Sequence, residues 1–90
     1  MAVTVEIPAP LREATGGQTA VAVAGETVAA ALADLIRQYP LLESKLFQNG
    51  QLRPYINVFV NDEDIRYLEE LQTPVADGTT IALIPAVAGG

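Results

Sequence analysis

The chain has 90 residues, half of them apolar, and a net charge of −6 from eleven acidic and five basic residues. This length predicts a single domain, and the apolar fraction predicts a folded core rather than a disordered chain. Neither cysteine nor histidine is present, which excludes disulfides, thiolate chemistry and a Ser-His-Asp arrangement and removes the commonest metal ligand. The basic residues are scattered, so a nucleic-acid surface is not expected.

The N-terminal third predicts two strands. Alternating apolar and polar residues over 3–7 predict a strand with one buried face. Residues 11–15 are expected to form one helical turn, and Gly16-Gly17 to turn the backbone. The β-branched residues of 19–23 predict a second strand. The two strands are expected to pair as an antiparallel hairpin with a long connection.

One amphipathic helix is predicted to follow. Thr27 is a good N-cap, and four alanines in the next six positions favour helix. Pro40 ends the helix near Tyr39 because a proline disfavours helical torsions in the residue before it. The larger apolar residues at helical spacing are Val28, Leu32, Leu35, Ile36 and Tyr39.

The middle of the chain predicts smaller elements. Residues 41–47 are expected to form a short second helix, and residues 48–54 a polar loop. Alternation over 55–60 predicts the clearest later strand, and residues 64–66 are expected to start a short return strand.

The last strand is predicted over residues 80–84, after a sharp turn at Asp77-Gly78. Its almost uniformly apolar sequence indicates a central position in the sheet. Leu68 and Leu71 are expected to cover an edge of the core. The prediction is therefore an α+β fold: a mixed sheet of four to five strands with one main helix packed on one face.

Asp62-Glu63-Asp64 is the densest charge cluster. A calcium loop that began at Asp62 would need glycine at its sixth position and glutamate at its twelfth, where this chain has Tyr67 and Thr73. A metal site is therefore not expected. Two interpretations remain, an exposed acidic hairpin and a contact patch for a basic partner.

The chain ends in Gly89-Gly90 after an uncharged segment. We expect residues 1–84 to form the domain and residues 85–90 a free, flexible tail. A tail without bulky side chains can enter a narrow cleft, and six extended residues reach about 20 Å. The α-carboxylate is a poor electrophile at neutral pH, and the composition supplies little to activate it. A partner must therefore perform any chemistry there.

Together, these features resemble the ubiquitin-like β-grasp sulfur carriers of the MoaD/ThiS type. The resemblance covers essentially the whole chain. Residues 58–66 and 84–90 carry it most specifically, and both segments are most similar to the CysO-type carriers of cysteine biosynthesis. The implied fold is the β-grasp, and the implied function is that of a carrier acted on by enzymes, not that of an enzyme.

The resemblance implies that an E1-like adenylyltransferase and sulfurtransferase converts the carboxylate of Gly90 to a thiocarboxylate. A PLP-dependent cysteine synthase would use the sulfur, and a JAMM-type metalloprotease would release the product. ATP, PLP and zinc would belong to these partners, with no cofactor bound by this chain. Gly89 would give clearance in the partner's channel, which Ala86, Val87 and Ala88 would contact.

Three alternatives remain. The small subunit of molybdopterin synthase has a similar tail, and its partner would be the large subunit. A ubiquitin-like modifier would be joined to lysines of other proteins. A plain binding module would have an inert end. No signal peptide or membrane-spanning run is visible in the sequence, so we expect a cytoplasmic protein.

Overall fold

The computed structural model describes residues 2–85, which form a mixed five-stranded sheet with one main helix on one face. The predicted α+β architecture is confirmed. The main helix is α1 (Val28–Gln38), and a single further turn is α2 (Glu43–Leu46). The strands are β1 (Val3–Glu6), β2 (Ala20–Val23), β3 (Phe47–Gln48), β4 (Gln51–Leu52), β5 (Ile56–Val60), β6 (Glu63–Asp64) and β7 (Thr80–Pro85).

The sheet has the strand order β2-β1-β7-β5-β6. β1 and β7 are parallel, and the β1–β2, β5–β7 and β5–β6 pairs are antiparallel. The predicted hairpin of the first two strands is confirmed, with a 3₁₀ helix (Ala9–Thr15) in its long connection. β7 lies in the centre of the sheet, as its apolar sequence predicts.

Helix α1 packs its apolar face on the sheet. The Thr27 hydroxyl accepts a hydrogen bond from the Ala30 N–H at 3.1 Å, which confirms the predicted N-cap. Val28, Leu32 and Leu35 are completely buried. Ile36, and Tyr39 just after the end of the helix, are half-buried at the rim of the core. The expected α-helical spacing therefore holds over the buried face.

The segment after α1 differs from the prediction. In place of one helix over 41–47, a 3₁₀ turn (Pro40–Leu42) leads into α2, and Phe47 already belongs to β3. The expected loop over 48–54 contains the β3–β4 hairpin. Its turn is Asn49-Gly50, with both residues at positive φ. This dipeptide is a strong hairpin signal because both residues tolerate such torsions.

The return strand is also shifted. β6 occupies Glu63–Asp64, one residue earlier than predicted, and the chain then enters a 3₁₀ helix (Ile65–Tyr67) that buries Ile65. Further along, Leu68 and Leu71 pack against the core, as predicted.

Helix α1 is fastened to the edge strand β2 by polar side chains. The Asp34 carboxylate accepts a hydrogen bond from the Ala24 N–H at 3.0 Å and pairs with Arg37. Gln38 donates to the carbonyl oxygen of Ala22 at 3.0 Å. The Ala24 N–H, followed by the Arg37 side chain, holds the pKa of Asp34 below its ordinary value. Among residues 2–85, no helix combines the length and hydrophobicity needed to cross a membrane.

We expect Gly25→Ala to destabilise the fold. A Cβ at this position would lie 2.6 Å from the Ala31 nitrogen, so the start of α1 would have to move. The expected loss is about 3 kcal/mol, at the upper end of overpacking costs. Gly16→Ala is the matched control, because its Cβ would enter open space and only the positive φ costs about 1 kcal/mol. Urea unfolding measures both, and equal midpoints would contradict the close packing at Gly25.

We expect Asp34→Asn to weaken the domain at pH 7 but not in acid. A carboxyl group whose folded-state pKa is lowered stabilises the fold above its unfolded pKa of about 3.9, and this contribution is lost as the pH falls through the folded value. The urea midpoints of the two proteins should therefore approach each other as the pH falls below about 4 and become equal below the folded-state pKa of Asp34. Glu69→Gln controls for the loss of one exposed negative charge. A gap that persists in acid would show that the negative charge of Asp34 is not the source of its contribution.

Candidate functional site

The predicted site residues Ala86, Val87, Ala88, Gly89 and Gly90 lie outside the described residues. The division into a domain of residues 1–84 and a tail of residues 85–90 therefore stays a prediction. The last strand, however, ends one residue later than predicted, because Pro85 is the last residue of β7 and lies opposite Ile56. The structure describes the surface from which the tail departs.

This departure point is held on one side only. β7 pairs with β1 as far as Ala82, opposite Glu6, whereas its pairing with β5 continues to Pro85. Leu83 is buried in the core below the sheet. The last residues of β7 therefore extend past the register of β1 and are positioned by β5.

Residues on the sheet face opposite α1 form an apolar patch beside this point. Because side chains alternate along a strand, Ile84 and Ala82 lie on the face opposite to Leu83. Their partners across the β5–β7 ladder are Asn57 and Phe59. Ile84 is 47% exposed, and Ala82 and Phe59 are half-buried. We call Phe59, Ala82 and Ile84 the open-face patch.

A hydrogen-bonded ion pair borders the open-face patch at the β6 edge. Arg66 Nη2 donates to Asp64 Oδ2 at 2.8 Å and to Asn57 Oδ1 at 2.9 Å. Asp64 is only 9% exposed in its side chain. The side-chain hydrogen bond from Arg66, followed by the Arg66 N–H, lowers the pKa of Asp64, and Asp64 in turn raises the pKa of Arg66. This pair fixes the polar border of the patch.

The acidic cluster predicted at Asp62-Glu63-Asp64 is divided by the fold. Asp64 pairs with Arg66, while Asp62, in the turn between β5 and β6, and Glu63, at the start of β6, are exposed. Asn61 ties this turn to the start of β7, since its side-chain oxygen accepts from the Thr80 N–H at 3.0 Å. Within residues 2–85, no three acidic side chains are grouped in a way that could hold a metal ion.

Sequence reasoning missed the surroundings of the tail. The open-face patch joins residues from two strands, and only their register brings Phe59 beside Ala82. The opposite side of the departure point is a cleft in which Lys45 and Arg53 approach Pro85. Neither position had a local signal, because each depends on segments that are distant in sequence.

Comparisons with known proteins agree with this geometry. Residues 5–90 match the ThiS family. The sulfur carrier protein CysO of Mycobacterium tuberculosis is 43% identical over 93 residues, with all of both chains covered. CysO in the Amycolatopsis orientalis BexX/CysO complex superposes with a TM-score of 0.92 at 43% identity, covering 99% of this chain and 100% of that one.

A protein modifier also has this structure. Small archaeal modifier protein 1 of Haloferax volcanii superposes with a TM-score of 0.87 at 34% identity, with both chains fully covered. The fold, the full-length identity to a sulfur carrier and the family match that includes the tail agree with one another. The chain belongs to the ThiS family, and its fold is the ubiquitin-like β-grasp of that family's sulfur carriers.

Proposed function

We propose that this chain carries sulfur as a thiocarboxylate on Gly90 and donates it in cysteine biosynthesis. The observation that carries the proposal is the 43% identity to a CysO sulfur carrier over the whole of both chains. The family match reaches residue 90, so the similarity includes the segment on which the chemistry would occur. A general sulfur-carrier role follows from these relatives, and the reaction and pathway are our proposal.

The proposed chemistry begins with a carboxylate that is ionised and unreactive at neutral pH. A carboxylate oxygen of Gly90 attacks the α-phosphorus of ATP, which forms an acyl adenylate and releases pyrophosphate. Hydrosulfide, delivered by the sulfur donor, then attacks the acyl carbon, AMP leaves, and the terminal group becomes a thiocarboxylate. Because the chain has no cysteine or histidine, we assign both steps to an E1-like adenylyltransferase and sulfurtransferase.

Small side chains suit the tail to this task. Ala86, Val87, Ala88 and Gly89 present little bulk to a narrow channel, and five residues beyond Pro85 reach about 17 Å when extended. Pro85 is held in the central strand, and the open-face patch offers an apolar contact beside it. We infer that the patch docks on the activating enzyme while the tail enters its channel.

The proposed acceptor is an activated serine derivative on a PLP-dependent cysteine synthase, and a JAMM-type metalloprotease would release the cysteine. ATP, PLP and zinc would be bound by these partner enzymes. That a CysO protein forms a complex with BexX supports the proposal that such a carrier acts through a partner protein.

Protein modification is the second candidate, favoured by the similarity to small archaeal modifier protein 1. In that case the activated C-terminus would form an amide with a lysine of another protein. Transfer to a pterin precursor on a molybdopterin synthase large subunit is the remaining alternative.

Intact-mass analysis tests the thiocarboxylate. With the activating enzyme, ATP and a sulfur donor, the wild-type chain should gain the oxygen-to-sulfur mass difference. Deletion of Gly90 should abolish the gain without changing the urea midpoint, since the tail follows the last residue of the sheet. Gly90→Ala keeps the length and the carboxylate but adds a Cβ, so its conversion should be slower than that of the wild type.

Absence of the heavier species with active enzyme would contradict the sulfur-carrier proposal. Once the species forms, the acceptor is identified by its product. Cysteine synthase with an activated serine should yield a carrier that is heavier than the unmodified chain by one cysteine residue. Conjugates with other proteins would favour the modifier, and consumption by a molybdopterin synthase large subunit alone would favour the third alternative.

The docking role of the open-face patch is tested with Ile84→Asp. We expect the KM for adenylation to rise about tenfold, which corresponds to about 1.4 kcal/mol of lost binding. Leu41→Asp is the matched control, because Leu41 is 69% exposed and lies outside the patch. Both variants should keep the wild-type circular dichroism spectrum. An equal KM for the two variants would remove the open-face patch from the interface.

A further inference from the structure

A cleft on the helix side of the tail's departure point has no role in the proposed function. Pro85 forms part of its wall, because its side chain lies on the face opposite to that of Ile84. The other walls come from the first long connection, from α2 and from the segment before β5. The residues that matter here are Pro10, Ser44, Lys45, Arg53, Tyr55 and Pro85.

This cleft is basic in an acidic protein. Lys45 and Arg53 are two of the five basic residues of the chain, and none of the eleven acidic residues lines the cleft. Arg37 and Arg66 form the ion pairs found among residues 2–85, with Asp34 and Asp64 as their partners. Neither Lys45 nor Arg53 therefore forms an ion pair in the part of the chain that the structure describes.

Arg53 is held in place by neutral groups. Its Nε donates to the carbonyl oxygen of Ser44 at 2.9 Å, and Nη1 donates to the Gln48 side-chain oxygen at 3.3 Å. Its guanidinium lies over the Tyr55 ring, with Cζ 6.0 Å from the ring centroid, a cation–π arrangement. Because Ser44 is the residue before Lys45, the hydrogen bond from Arg53 to Ser44 also keeps Arg53 close to Lys45. Lys45 itself is exposed.

The opposite end of the molecule is acidic. Asp77 accepts a hydrogen bond from the Ala2 N–H, just before β1, and Glu26 bonds Val75 through its backbone carbonyl. Asp62 lies in the turn that Asn61 ties to Thr80, the first residue of β7, and Glu63 follows at the start of β6. The long direction of β7 therefore runs from acidic turns to a basic cleft at the tail.

We propose that Lys45 and Arg53 form a docking cleft for a carboxylate-bearing rim around the channel of the enzyme that activates the tail. The proposal rests on the proposed function, and it adds the charge that this partner must present. An acidic rim repels most of the surface of this chain and attracts the end that bears the tail. Such charge complementarity raises the association rate and orients the encounter.

The basic cleft and the open-face patch are separate contacts. Side chains alternate across β7, so Pro85 belongs to the cleft and Ile84 to the patch. A partner that takes the tail between them makes polar contacts on the helix side and apolar contacts on the open side. The two contacts are distinguished by salt, because only the exposed charges of the cleft are screened.

Charge reversal tests the cleft. The activating enzyme is assayed by pyrophosphate release with Lys45→Glu, and with Arg37→Glu as a control that makes the same charge change at an exposed site on the β2 side. For Lys45→Glu we expect a KM that is about three- to tenfold higher at low salt, with kcat unchanged. The difference should disappear at high salt. Lys45→Arg should behave like the wild type, and Arg37→Glu should change KM less than twofold.

Carbodiimide coupling gives a readout that does not depend on activity. Lys45 is the only lysine of the chain, so an amide between Lys45 and a carboxylate of the activating enzyme identifies the contact directly by peptide mass. Lys45→Arg retains the charge but removes the amine, and should lose this product. An amide between Lys45 and Gly90 of the same chain would show that the cleft holds the chain's own carboxylate and would overturn the proposal.

The remaining outcomes also test the docking cleft. Equal KM values for Lys45→Glu and Arg37→Glu, with no coupling at Lys45, would overturn the docking cleft and leave the sulfur-carrier function intact. A lower KM for Lys45→Glu would again indicate an occupant from the chain itself. Wild-type protein that neither binds the enzyme nor releases pyrophosphate would remove both proposals.

Discussion

The placement of β7 between β1 and β5 is the constraint on which the rest of the structure depends. Thr4 pairs with Thr80, so the two ends of the described chain close the centre of the sheet. This long-range pairing has a large loop-closure cost before it contributes any stability. Ile81 and Leu83 offset that cost by burying their side chains in the hydrophobic core. The same two residues determine on which face each later side chain of the strand lies.

The alternation along β7 explains how a tail with almost no chemical character can be presented specifically. An inward Leu83, an outward Ile84 and an inward Pro85 give the two sides of the departure point different surfaces. Asn57, Asp64 and Arg66 border the outward side with fixed polar groups, while Arg53 is fixed on the inward side by Ser44 and Tyr55. Under the proposed function, recognition would reside in the folded domain, and the tail itself would need only to be narrow.

Much of the architecture could be predicted because its signals are local. The Thr27 cap, the helical spacing from Val28 and the apolar β7 each identify an element from a few neighbouring residues. The β3–β4 hairpin was missed although Asn49-Gly50 is a turn signal, because its strands are only two residues long. Ile65 and Arg66 were misassigned to the return strand, because after Asp64 the chain enters a 3₁₀ helix in which the Asp64 side chain caps the Arg66 N–H and Ile65 is buried.

The surroundings of the tail could not be predicted because they require tertiary structure. Lys45 and Arg53 are separated in sequence by the β3–β4 hairpin, and Pro10 lies in the connection between β1 and β2. All three nevertheless line the same cleft. The register of β5 against β7 decides that Phe59 and Ala82 meet. A single sequence shows which residues are available to form such surfaces but not which of them become neighbours in the fold.

The sheet has two edges, and both resist the addition of another strand. At the β2 edge, the Gln38 side chain already occupies the carbonyl oxygen of Ala22, and Asp34 occupies the Ala24 N–H. At the β6 edge, the strand is two residues long and turns immediately into a 3₁₀ helix. Unprotected edges invite aggregation and β-augmentation. In a small protein of which half the residues are apolar, blunted edges leave the faces of the sheet and the end of β7 as the surfaces on which specific complexes can form.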